Sequence, residues 1–495
     1  MDAATLGDGG SGAATIFHKE SQSSFSTKQD ELDSCNDDGG KGVDDVRKTS
    51  PEVRRIILKQ DLHIMPLAIF LYFLCSLDRT NVGNAKVLNT HSGDSLLQSL
   101  GMSEYQYKVS LEIFYLALMG FEIPMGMGAK RFGASRWIAL LCTGWGTMTM
   151  LCAATHDFAS FTAVRFVLGA FEAGLFPSLI CLLNFHYRPD EISFRAALII
   201  ASAALAGAFG GAIATGVSFM NGTAGLEAWK WLVILEGLPS ILVAPVAWYC
   251  LPDWPEQSRF LSDREKALVR RRLDAVDGLP KQEERMTWSE AKKVLADWRA
   301  WLHYASFLGV SAPFSSISLF APTIIQGMGK KGIEANLFTV PPYAVAWVFV
   351  VGMAWVADRY DKRGAVTTVC SLLAVASFGV LGGLPKQAGY NERYAVMMVA
   401  VPCAFASIPC NLGRVSANAR GTTATVLEVA LCVAVGNCGQ MVGVWIYRSS
   451  EAPSFPTGMF TNLGSLLLTT VSAGLLTMYY NRCNRGLAPG RRWAT

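Results

Sequence analysis

Arg165-Phe-Val-Leu-Gly-Ala-Phe-Glu172-Ala-Gly174 sets an arginine and a glutamate inside a run that is otherwise apolar from 158 to 183. Seven residues at about 100° each fall about 20° short of two helical turns, so Arg165 and Glu172 share one helix face roughly 10 Å apart. Insertion scales charge about 2.5–3.5 kcal/mol for each such side chain at a bilayer centre. Two of them on one stripe therefore face a protein interior or a watery cavity, not lipid.

The rest of the chain supplies a membrane setting for this pair. Of 495 residues, 51% are hydrophobic and 17% charged, against about 25% charged in an average soluble domain. The class is an all-α polytopic membrane protein. A net charge of +4, scattered along the chain, gives no nucleic-acid footprint. Most of the twelve cysteines lie in apolar runs without CxxC spacing and read as small packing residues, neither a disulfide framework nor a metal site. No nucleotide-binding loop, metal cluster or nucleophile–base set stands out, so the reading is not an enzyme. No cofactor is expected.

Residues 1–60 are rich in Ser, Gly, Asp and Lys with no apolar core, and read as a disordered cytoplasmic tail. The apolar run 62–77 has only sixteen residues, too few for about 30 Å of hydrocarbon, so the first span continues through Asp78-Arg79-Thr-Asn-Val-Gly-Asn-Ala-Lys86. Five more apolar segments follow near 109–127, 137–154, 158–183, 196–219 and 231–251. The charged stretch 252–299 includes a surface helix capped by Ser262. Six further segments lie near 308–325, 338–357, 366–384, 394–410, 422–447 and 463–480. The expected organisation is a tail (1–60), a six-helix half (61–251), a cytoplasmic central loop (252–300), a second six-helix half (301–481) and a cytoplasmic carboxy-terminal tail (482–495).

Loop charges test the count. With the amino terminus inside, the cytoplasmic loops hold Lys130, Arg131 and Arg136; Arg188 and Arg195; eleven Lys/Arg in the central loop; Arg359, Lys362 and Arg363; and Arg414 and Arg420. The opposite loops are sparser, with Lys330 and Lys331 or Lys386 and Arg393 as the richest. This is the positive-inside asymmetry, and both termini come out cytoplasmic. The basic turns 126–136 and 354–363 occupy the same place in each half, which points to two repeated units around a midplane site.

Those turns resemble the loop signature G-x-x-x-[DE]-[RK]-x-G-[RK] of the major facilitator superfamily. The second copy keeps the acid at Asp358, and the first has Lys130 there. Leu77-Asp-Arg-Thr-Asn-Val-Gly-Asn-Ala-Lys86, Asn336-Leu-Phe-Thr-Val-Pro-Pro-Tyr-Ala-Val345, Gly436-Asn-Cys-Gly439 with Glu451-Ala-Pro453, Leu251-Pro-Asp-Trp-Pro255 and Phe260-Leu-Ser-Asp-Arg-Glu265 resemble the fungal allantoate permease branch of the anion:cation symporter family. The likeness runs from about residue 58 to the carboxy terminus. It implies the major facilitator fold, with twelve transmembrane helices in two pseudo-symmetric six-helix halves. It also implies proton-coupled transport of a small organic anion, such as a ureide, nicotinate or another vitamin-like carboxylate, by alternating access.

The resemblance assigns Arg79 and Arg165 to the substrate anion, Glu172 to proton coupling, and Lys130, Arg131, Asp358, Arg359 and Arg363 to a conformational lock. The chain departs from the family pattern at Ser407-Ile-Pro-Cys-Asn411, where Asn411 is read as keeping half of a polar substrate contact, and Asp78 is read as a second proton-coupling residue. Glu172 beside Arg165 would be held ionised in the empty site, and an arriving anion would compete for Arg165. Glu112 and Glu122 lie about 80° apart on one helix, which separates their roles. Glu122 reads as a capping or pairing residue, His303 as a structural interface residue, and Glu236 and Glu428 as partners for arginines of neighbouring spans. The small-residue runs 206–212 and 436–443 read as helix-packing surfaces. The partners expected are the anion, protons and the lipid bilayer, in a monomer of the plasma membrane. Export of an organic acid or secondary metabolite is the alternative, and a non-transporting nutrient receptor a third reading.

Overall fold

The computed structural model describes residues 51–90, 92–274, 292, 294–330, 333–385, 387–418, 422–486 and 493. The amino-terminal tail to residue 50, residues 275–291 and 293 of the central loop, Lys331, Lys386, Arg420 and most of the carboxy-terminal tail lie outside them. Helix α1 spans Pro51–Val87, so residues 51–60 are helical and the span runs unbroken through Asp78 and Arg79. There follow α2 (Glu104–Phe132), α3 (Ala134–Cys152), α4 (Phe158–Ala173, resuming as Leu175–His186), α5 (Pro189–Val217) and α6 (Ala228–Cys250). The second set comprises α7 (Trp298–Gly327), α8 (Val340–Arg359), α9 (Arg363–Gly383), α10 (Tyr390–Asn418), α11 (Thr422–Trp445) and α12 (Pro456–Asn484).

Among the described residues, 11 helices are long and apolar enough to cross a membrane. The exception among the twelve is α3, whose 19 residues carry Arg136 and three threonines. Its Thr143, Thr147 and Thr149 hydroxyls donate back to the carbonyl oxygens of Ala139, Thr143 and Trp145, so a helix of lower hydropathy leaves no bare hydroxyl at these positions. Helix starts follow capping chemistry. Ser103 and Gln106 form a reciprocal box at α2, Asp157 accepts the Ser160 N–H at α4, and Asp297 accepts the Arg299 N–H at α7. Ser262 and Glu265 cap a short helix, Asp263–Asp274, as the sequence predicts.

Packing sorts the helices into two sets of six. Within the first, α2 lies on α4, and α3 on α6 and α4; within the second, α7 lies on α11 and α12, and α9 on α10 and α12. Contacts that cross the seam include α2 with α11, α5 with α8, and α5 with α10, and α1 with α7, where a Cβ on Gly83 would meet the Leu319 carbonyl oxygen at 2.2 Å. The side on which α2–α3, α4–α5, α6–α7, α8–α9 and α10–α11 connect carries most loop lysines and arginines, and is called the basic side below. On the far side, small residues let the sets meet: Cβ atoms added to Gly207 and Gly211 would lie 2.8 Å from the Tyr343 ring and 2.3 Å from the Thr339 hydroxyl. The 436–443 run likewise seats α11 on α7, where a Cβ on Gly439 would meet the Leu308 carbonyl oxygen at 2.2 Å.

Candidate functional site

The expected pair on α4 is present, but its partners differ from the sequence reading. Arg165 and Glu172 are both buried. Glu172 does not pair with Arg165; its Oε2 accepts the Arg79 Nε–H at 2.6 Å, and the Cys75 thiol lies 3.5 Å from the same oxygen. Among the described residues no ion pair reaches Arg165 within 4.0 Å, and its Nε has no acceptor. The two guanidiniums are joined through an aromatic ring. Phe114 of α2 lies 5.4 Å from Arg165 and 5.9 Å from Arg79, and Phe161 is 5.6 Å from Arg165.

Gly169 explains how α2 reaches this position. It lies between Arg165 and Glu172 on α4, and a Cβ there would sit 2.6 Å from the Phe114 carbonyl oxygen. The helices thus approach between the two charges, which spreads one charge to each side of Phe114. The seven-residue spacing placed Arg165 and Glu172 on a common face correctly, but a one-helix projection carries no information on which neighbour fills the gap.

Asp78 and Arg79, adjacent in sequence, are turned about 100° apart and enter different environments. Asp78 faces the interior of the first set, where its Oδ2 accepts the Thr149 hydroxyl at 3.1 Å and its Oδ1 has no partner. Arg165 and Glu236 line the same small cavity, which has room for about one water-sized sphere, with Thr149, Cys152 and Phe161. Glu236 has no arginine bond; its Oε1 accepts an N–H of Asn81, whose own Oδ1 accepts from Asn84. Sequence reading missed this Asp78–Asn81–Asn84 string, although its three-residue steps after Asp78 already mark one helix face.

Asn411 does not join the arginines. It is buried on α10, and its Nδ2 donates to the Ser306 hydroxyl of α7 at 2.9 Å, a tie inside the second set. The groups that meet the first set across the seam are others. Asn437 of α11 donates to Glu122 Oε2 at 2.7 Å, Trp445 donates to Glu112 at 3.1 Å, and the Ser315 hydroxyl donates to the Tyr115 oxygen at 3.3 Å. Lys108 donates to the Tyr447 carbonyl oxygen at 2.6 Å and Ser449 to Glu104 at 2.5 Å. Positions 104, 108, 112, 115 and 122 repeat in steps near 3.5, so α2 keeps one stripe on its partner as on a coiled-coil seam. Glu112 and Glu122 therefore share a face after all: an 80° offset on a straight helical wheel is absorbed where two helices cross. Glu122 is a pairing residue, as expected, and among the described residues no hydrogen bond or ion pair is observed for Glu428.

The two basic turns are built differently. In the second, Asp358 accepts the Arg363 Nη2–H at 2.7 Å, while Arg359 is exposed. In the first, where Lys130 replaces the acid and Arg131 stacks 5.5 Å from Phe132, the carboxylate comes from Asp253 beyond α6. Asp253 Oδ1 accepts the Ser135 N–H at 2.7 Å and so caps α3, whose cap residue Gly133 has no side chain. Gly133 has φ 91°, and a Cβ there would lie 2.7 Å from Asp253 Oδ2, so glycine is required on both counts. Trp254 fixes this segment by stacking on Phe185, centroids 4.1 Å apart.

Two basic residues counted as loop charges lie elsewhere. Arg414 and Arg393 are both buried within α10, because that helix extends from Tyr390 to Asn418. His303 is buried against Tyr480, its Nε2 3.3 Å from the phenol oxygen, in keeping with the structural reading. Among the described residues no three His, Cys, Asp or Glu side chains converge as metal ligands.

Comparison with known proteins agrees with this architecture. The family model of the Major Facilitator Superfamily matches residues 68–436. The chain is 45% identical over 434 residues to the MFS transporter prlL of a fungal species (strain NRRL 50135), covering 87% of each protein. It is 30% identical over 428 residues to the MFS-type transporter cnsO of Penicillium expansum, covering 84% of this chain and 81% of the relative. A putative tartrate transporter of Agrobacterium vitis is 29% identical over 425 residues, 84% of this chain and 90% of the relative. Among solved structures, a bacterial homologue of the human lysosomal transporter Spinster, inward-facing and unoccupied, aligns with a TM-score of 0.61 over 89% of this chain and all of that chain, at 16% identity, a likeness of fold. With a family model across most of its length and a relative 45% identical over 87% of it, this multi-pass membrane protein belongs to the Major Facilitator Superfamily.

Proposed function

We propose that the protein is a proton-coupled secondary transporter of a small organic anion, working by alternating access of its two six-helix halves, in the allantoate permease-like branch of the anion:cation symporters. The observation that carries this reading is the group of two guanidiniums, Arg79 partly buried and Arg165 buried, around Phe114 with one carboxylate, Glu172, bonded to only one of them. A carboxylate substrate completes the charge balance and matches the planar donor edge of arginine. Protonation of Glu172 releases Arg79 for the substrate, and loss of that proton after the halves rock restores the ion pair and expels the anion. Asp78 and Glu236 surround the other side of Arg165 and provide a second place for a proton. The resemblance to a putative tartrate transporter supports a small carboxylate as cargo.

On this reading both termini are cytoplasmic, the membrane is the plasma membrane, and the basic turns at Lys130, Arg131, Asp358, Arg359 and Arg363 lock the basic side between strokes. The test is uptake into proteoliposomes under an imposed inward proton gradient, screened over tartrate, nicotinate, pantothenate and allantoate. Accumulation that disappears in Arg165→Ala supports symport. Anion extrusion driven by counterflow of protons replaces it with export, and binding without flux replaces it with a receptor.

A further inference from the structure

On the far side the α1–α7 contact at Gly83 sets Phe320, the residue after Leu319, between two ammonium groups of the first half. Lys86 Nζ lies 5.7 Å and Lys108 Nζ 5.9 Å from the centre of this buried ring. Lys108 is 8% exposed; its Nζ donates to the Tyr447 carbonyl oxygen at 2.6 Å and lies 6.0 Å from the Trp445 ring. Phe320, Trp445 and Tyr447 all belong to the second half, so each of these contacts crosses the seam. Among the described residues no carboxylate comes within 4.0 Å of this ammonium. Glu104 lies 3.6 Å from Lys86 and is itself bonded across the seam by the Ser449 hydroxyl, while Glu112, one turn deeper, is spent on the Trp445 N–H.

When the halves part on this side, Phe320, Trp445 and Tyr447 withdraw with the second half, whereas Lys86, Glu104 and Lys108 stay with the first. The two ammoniums then face water with one close carboxylate between them. They also stand in register with the inner charged group. Lys86 is seven residues beyond Arg79 on α1, and Lys108 is seven before Tyr115 on α2, whose ring packs on Phe114 at 5.3 Å between centroids. Two helical turns keep each lysine on the same face, roughly 10 Å farther out. A carboxylate entering from the far side meets these ammoniums before it reaches the arginines.

We propose that Lys86 and Lys108 form an outer binding site for a small carboxylate, covered by Phe320 and Tyr447 in this arrangement and uncovered when the far side opens, from which the anion steps inward to Arg79 and Arg165. The site rests on the anion reading and on the halves parting along this seam, and its first test needs no cargo. Ser315 bonds Tyr115 across the seam and is 1% exposed, so in purified full-length Ser315→Cys a reagent reaches the thiol only after the halves part. Relative to their rates with a free thiol in solution, a sulfonate-bearing methanethiosulfonate should react there about tenfold faster than a trimethylammonium-bearing one, read peptide by peptide. Lys86→Gln and Lys108→Gln should each cut that preference to about threefold or less, Lys108→Arg should keep it, and Glu104→Gln should raise it. An unchanged preference in both glutamine variants, or no reaction at Ser315→Cys, would overturn the site. The second test is tartrate uptake into proteoliposomes, where Lys108→Gln should raise KM about tenfold with the maximal rate within about twofold, and Lys108→Arg should recover the parent KM. A lower maximal rate at unchanged KM would make these lysines a clasp on the seam and overturn capture. Absence of tartrate uptake by the parent would defeat tartrate as cargo and leave the labelling preference to decide.

Discussion

The interiors of the two halves are chemically unlike. The first gathers five ionisable side chains, Asp78, Arg165, Glu172 and Glu236 buried and Arg79 partly buried, in the neighbourhood of one ring and one cavity. At the same depth the second is neutral, with Ser306 bonded to Asn411, Ser316 to Asn462 and Thr469 to the Ser306 carbonyl, and its buried Arg414 and His303 lie about a turn nearer the basic side. Hydroxyls and amides hold a helix bundle together at modest net gain, whereas buried charges are costly and persist where a ligand or a proton makes use of them. On the proposed reading the chemistry lies in the first half and the second is its closing wall, touching through Asn437 and Ser315.

The largest effects should come from the charged side. Arg79→Ala leaves Glu172 buried and unpaired, a loss of about 3–5 kcal/mol, and uptake should fall by more than about 100-fold. Comparable uptake by Arg79→Ala and the parent would erase the division between the halves. Glu172→Gln should keep anion exchange across symmetric proteoliposomes while a pH gradient no longer drives accumulation. Retained pH-driven accumulation would move the proton site to Asp78 or elsewhere. On the neutral side, Asn411→Ala should lower stability by about 1 kcal/mol through the lost Ser306 bond and change substrate affinity by less than about twofold. A tenfold loss of affinity would return Asn411 to the binding site.

A smaller difference separates the basic turns. Asp253→Ala removes the cap of α3 and should cost about 1 kcal/mol, seen as faster proteolysis at the α2–α3 turn, with no matching effect on α8–α9. The smallest effect concerns Glu265, whose carboxyl is held below its usual range chiefly by the Lys59 ammonium 2.5 Å away. A depressed carboxyl pKa stabilises the docked helix above the unfolded value and loses that contribution as pH falls through the folded one. The protection factor for amide exchange in residues 263–274, the observed rate divided into the intrinsic one, should accordingly fall toward acid pH, and Glu265→Gln should make that factor insensitive to pH over the same window.

Much of this was readable along one dimension. Twelve apolar segments, the cap at Ser262, the shared face of Arg165 and Glu172 and the small-residue packing runs all depend on spacing within one helix. The errors begin where two helices are involved. Arg393 and Arg414 looked like loop charges because a charged residue ends an apolar run, but neighbouring helices shelter them and α10 continues to Asn418. Glu112 and Glu122 looked divergent on a straight wheel, and only the crossing with α11 brings them to one seam.

From the sequence alone came the class and its logic: a membrane chain of repeated halves with charges too expensive to face lipid. Those follow from hydropathy and periodicity, which are properties of the covalent order. Which charges meet was settled by tertiary structure. Gly169 lets α2 slide between Arg165 and Glu172, so Arg79 takes the carboxylate and Arg165 is left without one. That outcome depends on ångström-scale approach between helices distant in sequence, and no spacing along a single helix encodes it.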